Sequence, residues 1–545
     1  MARAVETTVE IDGTKIKQFS SLKLNQEINA HHSFRLVCPL EAVDDNADNI
    51  FITSKSLIGA PINIQVTSAR DNATLLFSGL VTQVEVAGTN GQPGNYIISG
   101  FSPTILLDNG PHCRSWMRQS VKSMIKDVVK GFPSELLTYK IAPSYPETIY
   151  YIVQYKETSW QFINRLANTY GEWLYYDGQQ LVVGAPRGNP VHLTHGVQLS
   201  RFAMSIQIKP NDLRAKAYDY VSNEVYDSQV ENIADRAGHN ELGTYAIEKS
   251  TQLYGTDTNC WYNHFVRNKK QVDEFTGTRA AMRSSDLVRM HGSSDMPGLQ
   301  PGSTIAVKDP QGQSGGEFTI ISIEHCWDGI GNYANEFIAI PASVKVPPLA
   351  AVNEPYCEMQ SAVVIDNHDV KGMGRVQVRF RWMDGTEKSP WLRVVTSYAG
   401  DGKGMFFLPE KDEEVLVTFA SGDATRPYVI GTVRHGKSII GYGNEGNDIK
   451  AIHTRSGIKI VMNDETGGIY IEDKNGDKLE FNGEGNIKLL SKNKITFDCG
   501  DSKIEMDKDG TIKISAIKID MEATEEAIID AKTKVKVESA MITLN

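Results

Sequence analysis

No apolar run in this 545-residue chain approaches the roughly 18–20 residues that a membrane-crossing helix needs, so the sequence predicts no such span. The amino terminus, Met1-Ala-Arg-Ala-Val-Glu-Thr7, has no apolar stretch of the kind a secretory signal carries. That predicts assembly in the cytoplasm without Sec-type export. Cysteine is sparse: Cys38, Cys113, Cys260, Cys326, Cys357 and Cys499 lie far apart with no CxxC pair. They read as free thiols in a reducing compartment, not as a disulfide framework or a zinc site. Basic charge is in deficit, 56 Lys and Arg against 67 Asp and Glu, for a net charge of −11. This argues against a nucleic-acid or anionic-membrane partner. The most informative absence is proline. All 21 prolines precede Ile458, and the last stretch, Ile458–Asn545, has none.

In place of proline, that stretch carries apolar-x-apolar triplets set among charged residues. They are Leu479/Phe481, Ile487/Leu489, Ile495/Phe497, Ile504/Met506, Ile512/Ile514, Ile519/Met521, Ala527/Ile529, Val535/Val537 and Ile542/Leu544. Alternation at period two predicts strands, because successive side chains point to opposite faces. The triplets recur at eight residues or within one of eight, and Leu479 to Val535 spans seven such periods. A fixed period of this kind means strand and turn repeated along an axis, a β-helix or β-prism. Asn475-Gly476, Asn482-Gly483, Gly485-Asn486 and Asp509-Gly510 supply turns between the early triplets. Each repeat offers two or three apolar side chains, about 1.5–3 kcal/mol apiece when fully buried. Ordering its eight residues costs about 1–2 kcal/mol each. One thin ribbon is therefore unstable with both edges open. Three ribbons facing their stripes inward predict a homotrimeric needle. Its expected core is Leu479, Phe481, Ile487, Leu489, Ile495, Phe497, Ile504, Met506, Ile512, Ile514, Val535 and Val537. A single-chain β-solenoid is the alternative, and its coils are usually longer than eight residues.

The preceding residues fall into segments. Residues 1–105 hold short β-prone runs (Thr7–Ile11, Ser21–Leu24, Ser33–Val37, Pro61–Val66, Thr74–Val86, Asn95–Gly100) separated by turns such as Asp12-Gly13 and Thr89-Asn90-Gly91, which predicts a first β-barrel. Residues 106–190 read as α+β. A helix over Ser120–Val129 has one apolar face and Gly131 at its C′ position. A second begins at Thr158, with Gln161 at capping-box spacing and Gly171 at its end, followed by a hairpin around Asp177-Gly178. Residues 191–348 return to strands with a polar, partly helical insertion around Tyr220–Leu287 and predict a second barrel. After the Val346–Pro355 linker, residues 355–440 carry five short strands that predict an OB-fold barrel. Residues 453–545 form the needle.

Within the OB segment, Gly374-Arg-Val-Gln-Val-Arg-Phe-Arg-Trp382, Ser389-Pro-Trp-Leu-Arg-Val-Val395, and Phe407–Phe419 with Ser421-Gly-Asp423 resemble the OB module of VgrG-type spike proteins, the puncturing tips of type VI secretion systems and related contractile phage tails. Phe77-Ser-Gly-Leu-Val81, Glu157–Tyr176, Leu299-Gln-Pro-Gly302, Glu324-His325 and Ile338-Ala-Ile-Pro341 are similar to that family's hub half. His453-Thr-Arg-Ser-Gly457, Asn463-Asp-Glu-Thr-Gly467 and Ile469–Asp473 are similar to the start of its needle. The resemblance covers nearly the whole chain in the family's domain order. It implies a mainly β protein: two hub β-barrels with α+β insertions, an OB-fold barrel, and a C-terminal triple-stranded intertwined β-helix. The implied function is a trimeric spike and baseplate hub at the tip of a contractile injection machine, piercing a membrane it does not inhabit and ejected into the target. The implied partners are a hexameric tube protein at the hub end, baseplate proteins, effectors or their adaptors, and a PAAR-type protein capping the tip around Ile542, Leu544 and Asn545. A phage tail or extracellular injection particle shares these mechanics. The rival class is a cell-wall hydrolase or toxin carried on a spike. Only Ser438–Ile452 separates the OB module from the needle, and the chain stops at Asn545, so a bare, non-enzymatic spike without cofactor is expected.

Other motifs carry less. Gly441-Tyr-Gly-Asn-Glu-Gly446 spells GxGxxG, but no helix pattern opens on its third glycine, so a hinge is expected and not a phosphate cradle. His192 and His195 have no third ligand at metal spacing. The pairs His31/His32, His112/Cys113 and His325/Cys326 are adjacent in extended or turn segments, which points neighbours apart and disfavours chelation. Asp412-Glu413-Glu414 reads as a solvated turn, and Trp382 and Trp391 as packing residues of the OB module.

Overall fold

The computed structural model describes residues 5–43, 55–89, 92–256, 258–262 and 264–543. The chain forms two units, Met1–Val433 and Arg434–Asn545. Leu544, Asn545 and the Asn90-Gly91 turn lie outside the described residues.

The first unit is built on strands whose inward and outward residues alternate. Ser21–Glu27 buries Leu22, Leu24 and Gln26 while Lys23 and Asn25 face out. Strands Val5–Ile11, Ser21–Glu27, Ser33–Pro39, Pro61–Ser68, Thr74–Thr89 and Gln92–Phe101 stand where their alternation predicts them. They enclose a core that includes Leu24, Leu36, Ile62, Ile64, Phe77 and Ile98. A second set, Val191–Thr194, Leu199–Ile206, Val288–Ser294, Thr304–Lys308, Ser314–Asp328 and Tyr333–Pro341, encloses Leu193, Met290, Ile305, Ile320 and Phe337. The two sets belong to one 13-stranded sheet. Ser314–Asp328 is 15 residues long, enough to pair with Thr304–Lys308, with Tyr333–Pro341 and with Ser21–Glu27. That last ladder joins the two barrels, which the sequence reading treats as separate.

Between them, helix Val121–Val129 starts at Ser120, whose side chain accepts the Ser123 amide, and packs Met124 and Ile125 inward. Gly131 departs from expectation: it has no positive φ, and the helix ends at Lys130 in right-handed conformation, its amide donating to Lys126. Phe132 then donates to Val129, closing the end by a tight turn that needs no left-handed residue. Helix Ser159–Tyr170 has both halves of the capping box, Thr158 with Gln161, and ends on Gly171 at φ 70°. Trp116 stacks on its Phe162 at 4.8 Å. Its Arg165 is buried and grips both oxygens of Glu157 at 2.7 Å. Strand Leu213–Asp219 pairs with two strands of the insertion, Glu224–Gln229 and Thr258–Trp261, which also holds the helices Ile233–Ala237, Glu241–Tyr254 and Lys269–Ser284.

Five strands, Gln360–Asp366, Gln377–Phe380, Arg393–Val394, Glu414–Phe419 and Pro427–Thr432, form a further sheet of this unit. The first strand pairs with the second and fourth, the fourth with the fifth, and the fifth runs parallel to the third. A bridge between Val376 and Leu392 closes the ring into a small barrel around Val364, Val378, Phe380, Val415 and Val417. Trp382 stacks on Phe380, and its indole donates to Gln360 at 2.9 Å.

In the second unit, Ile449–His453, Lys459–Asn463, Gly468–Glu472, Lys478–Phe481 and Ile487–Leu490 form an antiparallel meander. Lys494–Cys499, Ser502–Asp507 and Ile512–Ser515 form a second one. The glycines of the expected turns, Gly476, Gly483, Gly485 and Gly510, all have positive φ. At Gly483 a Cβ would lie 1.9 Å from the Thr466 carbonyl oxygen, so that turn admits only glycine. No described residue beyond Ser515 is in a strand.

Candidate functional site

Antiparallel partners directly opposite one another share a face of the sheet. In the first meander one row reads Ile452–Ile460–Ile471–Leu479–Leu489, and the next reads Met462–Ile469–Phe481–Ile487. In the second the rows are Ile495–Met506–Ile512 and Phe497–Ile504–Ile514. The triplets thus line up across strands and lie on one face of each sheet. None of the expected needle-core residues is buried. Ile487 is 68% exposed, Ile512 66% and Val537 67%.

The opposite face carries the Lys and Glu that stand between the apolar residues, with Val461, Tyr470 and Leu490 among them in the first meander. Lys459 pairs with Glu472 at 3.4 Å, and Lys478 with Glu480 at 2.9 Å. Glu505 receives Lys494 at 2.6 Å and Lys503 at 3.0 Å, and these two ammonium groups hold its carboxyl down at about 2. Asx turns brace the reversals: Asp473 accepts the amides of Asn475 and Asp477, and Asn482 those of Glu484 and Asn486. Each ribbon is therefore amphipathic, one face soluble and the other without a partner in its own chain.

The later triplets differ. Ile519/Met521, Ala527/Ile529 and Val535/Val537 have no strand partner, so Val535 and Val537 are not brought together with the other ten core candidates. The tightest hairpin reversals favour a glycine at positive φ, and no glycine follows Gly510. Ile542 is exposed; Leu544 and Asn545 lie outside the described residues.

The remaining motifs take structural places. Gly441–Gly446 is a turn region followed by the Ile449–His453 strand, with no helix opening on it. All six cysteines are free thiols. Asp412 sits in a turn at φ 70°, and the Glu410 amide donates to Glu413. No helix among the described residues is long and apolar enough to cross a membrane.

The profile of the phage tail baseplate hub (GPD) family matches residues 26–329, more than half of the chain. This chain belongs to the phage tail baseplate hub family. Residues 360–433 of this hub protein, the closed five-stranded barrel, match the type VI secretion system/phage-baseplate injector OB domain. The resemblance to VgrG-type spike proteins holds along its length. It is 23% identical over 547 aligned residues to the type VI secretion system spike protein VgrG1b of Pseudomonas aeruginosa, covering 91% of this chain and 70% of that one. Among solved structures, its fold is similar to a chain of the Francisella PdpA–VgrG complex, with TM-score 0.57, 10% identity, and 90% and 80% of the two chains covered. It is also similar to an E. coli type VI secretion component described as resembling the T4 bacteriophage tail proteins gp27 and gp5, with TM-score 0.52, 14% identity, and 78% and 99% covered.

Proposed function

We propose that this hub protein is a non-enzymatic, homotrimeric spike at the tip of a contractile injection machine of the type VI class. The observation that carries the reading is the register-aligned apolar face of the C-terminal ribbon, none of whose expected core residues is buried within the single chain. Three such ribbons turned inward bury the stripes and leave the Lys–Glu face in water. The stretch after Ser515 has no strand partner in its own chain among the described residues, and in the trimer it pairs with its two copies to continue the prism as an intertwined β-helix. The needle is 453–545, the OB collar 355–440, and the hub 1–348, with 106–190 between its barrels at 1–105 and 191–348. The hub end receives the hexameric tube and baseplate proteins. The tip around Ile542, Leu544 and Asn545 takes a PAAR-type cap, and effectors or their adaptors ride on the spike. A narrow prism with all edges paired resists load kinetically, because it unfolds slowly.

Gold-labelled antibody against residues 1–105, viewed by electron microscopy on native assemblies, tests the placement. Label at one end of contractile tubes attached to the cell envelope supports the type VI reading. Label on free particles shifts the assignment to an extracellular or phage-like machine, and label away from tube ends contradicts the spike reading altogether.

A further inference from the structure

The barrels of the hub are joined by the ladder of Ser21–Glu27 with Ser314–Asp328. On its core face the inward side chains run Leu22, Leu24, Gln26 on one strand and Ile323, His325, Trp327 on the other. Gln26 and His325 break an otherwise apolar surface, and they are 2% and 0% exposed. Buried polar atoms must find protein partners. His325 Nε2 lies 2.9 Å from Gln26 Oε1, and its Nδ1 lies 2.7 Å from the Tyr333 hydroxyl. Gln26 Nε2 lies 3.1 Å from Nδ1 of His32, itself fully buried. Asn335 Nδ2 donates to the Tyr333 hydroxyl at 2.8 Å.

These contacts fix where the protons sit. With the Gln26 carbonyl as acceptor, His325 carries its proton on Nε2 and accepts the Tyr333 proton at Nδ1. The Gln26 amide nitrogen donates to His32 Nδ1, so the His32 proton is on Nε2, an atom with no hydrogen-bond partner among the described residues. A proton added to His32 sets Nδ1–H against the Gln26 amide nitrogen. Turning that amide over relieves the clash only by facing its NH2 to His325 Nε2–H. A proton added to His325 puts Nδ1–H on the Tyr333 hydroxyl, which must then turn its own proton away from the ring. Either charge costs the chain a hydrogen bond in a site that burial already makes unfavourable to charge.

The surroundings offer little compensation. No carboxylate contacts either ring among the described residues. His31 beside His32 is engaged by Asp108 at 3.0 Å, and a backbone hydrogen bond with Glu27 favours the charged form of His32 but is outweighed by its burial. Asp295 acts on Tyr333, not on the imidazoles, and Lys23 pairs with Glu324 at 2.8 Å on the outer face of the ladder. The rings packed against the histidines, Tyr176 on His32 and Trp327 on His325, carry no charge. Burial pushes both imidazoles down to about 3 from the ordinary 6.5.

We propose that the Gln26–His32–His325–Tyr333 chain is a proton-sensitive latch, and that protonation of either histidine opens the ladder between the two hub barrels before the barrels themselves unfold. The sign follows from linkage. Each histidine binds a proton more readily in the open state, so the closed seam is fully stable above about pH 6.5 and loses stability as pH falls from there toward 3.

Hydrogen exchange of the assembled full-length protein at pH 7.5 and 4.5, corrected for intrinsic rates, tests this. The latch predicts that peptides from Ser21–Glu27 and Ser314–Asp328 lose protection at least about tenfold more on acidification than those from Pro61–Ser68. In the double variant His32→Gln, His325→Gln, which cannot take up these protons, that excess should vanish. If the variant fails to fold, the comparison within the native protein still decides. Equal loss in both sets of peptides, no loss in either, or an undiminished excess in a folded double variant would overturn the proposal.

Discussion

At the scale of single residues, the OB barrel holds one buried ion pair beside its apolar core. Arg375 meets both oxygens of Asp369 at 2.7 and 2.9 Å, and both side chains are almost fully buried. The guanidinium hydrogen bonds hold the Asp369 carboxyl down at about 2. This depressed carboxylate stabilises the fold at all pH values above the ordinary aspartate range, and its contribution disappears only as pH falls through about 2. The pair is therefore intact at pH 4, where the hub histidines are already drawing protons. Arg375→Met leaves a buried carboxylate unpaired and should destabilise the barrel by about 3–5 kcal/mol, read as lost exchange protection in Gln360–Asp366 and Gln377–Phe380. Adding Asp369→Asn should return most of it. No return would place the effect in packing and not in the stranded charge. Some of this residue-level detail was legible in advance. Thr158 and Gln161 announce their capping box by spacing, whereas Gln26 and His325 are 299 residues apart and become neighbours only through a strand pairing that no local pattern encodes. The available signal was a polar residue in the inward phase of an alternating strand.

Among the elements, the C-terminal ribbon was the most readable. Its period of two fixes faces, its glycines fix reversals, and the two together fix register. Leu479 opposite Leu489 and Ile495 opposite Met506 follow directly. What periodicity leaves open is where pairing within the chain stops, because that depends on turn residues and not on apolar spacing. Likewise, Gly131 invites a left-handed helix end that the chain does not use, since the Phe132 amide already closes the turn. The ribbon makes a sharp prediction at Ile512, 66% exposed in the single chain and in one row with Ile495 and Met506. Ile512→Asp places three charges in the proposed shared core, at several kcal/mol per ion, and should abolish detergent-resistant trimer on gels. Undiminished trimer would mean that this face points to solvent in the assembly.

For the whole molecule, the hub folds within one chain, whereas the proposed needle is completed by its copies. Removing Ser539–Asn545 should abolish recovery of a small tip protein in pull-downs from cells making the whole machine, while the shortened spike still trimerises through the upstream repeats. Full recovery of that partner would move its binding site elsewhere. The central claim is the trimer itself, and sedimentation of the purified protein tests it most directly. The account predicts a single species at three times the 60.3 kDa chain mass, stable on dilution. A monomer that sediments at the chain mass while its C-terminal ribbon keeps protected β-structure would contradict it.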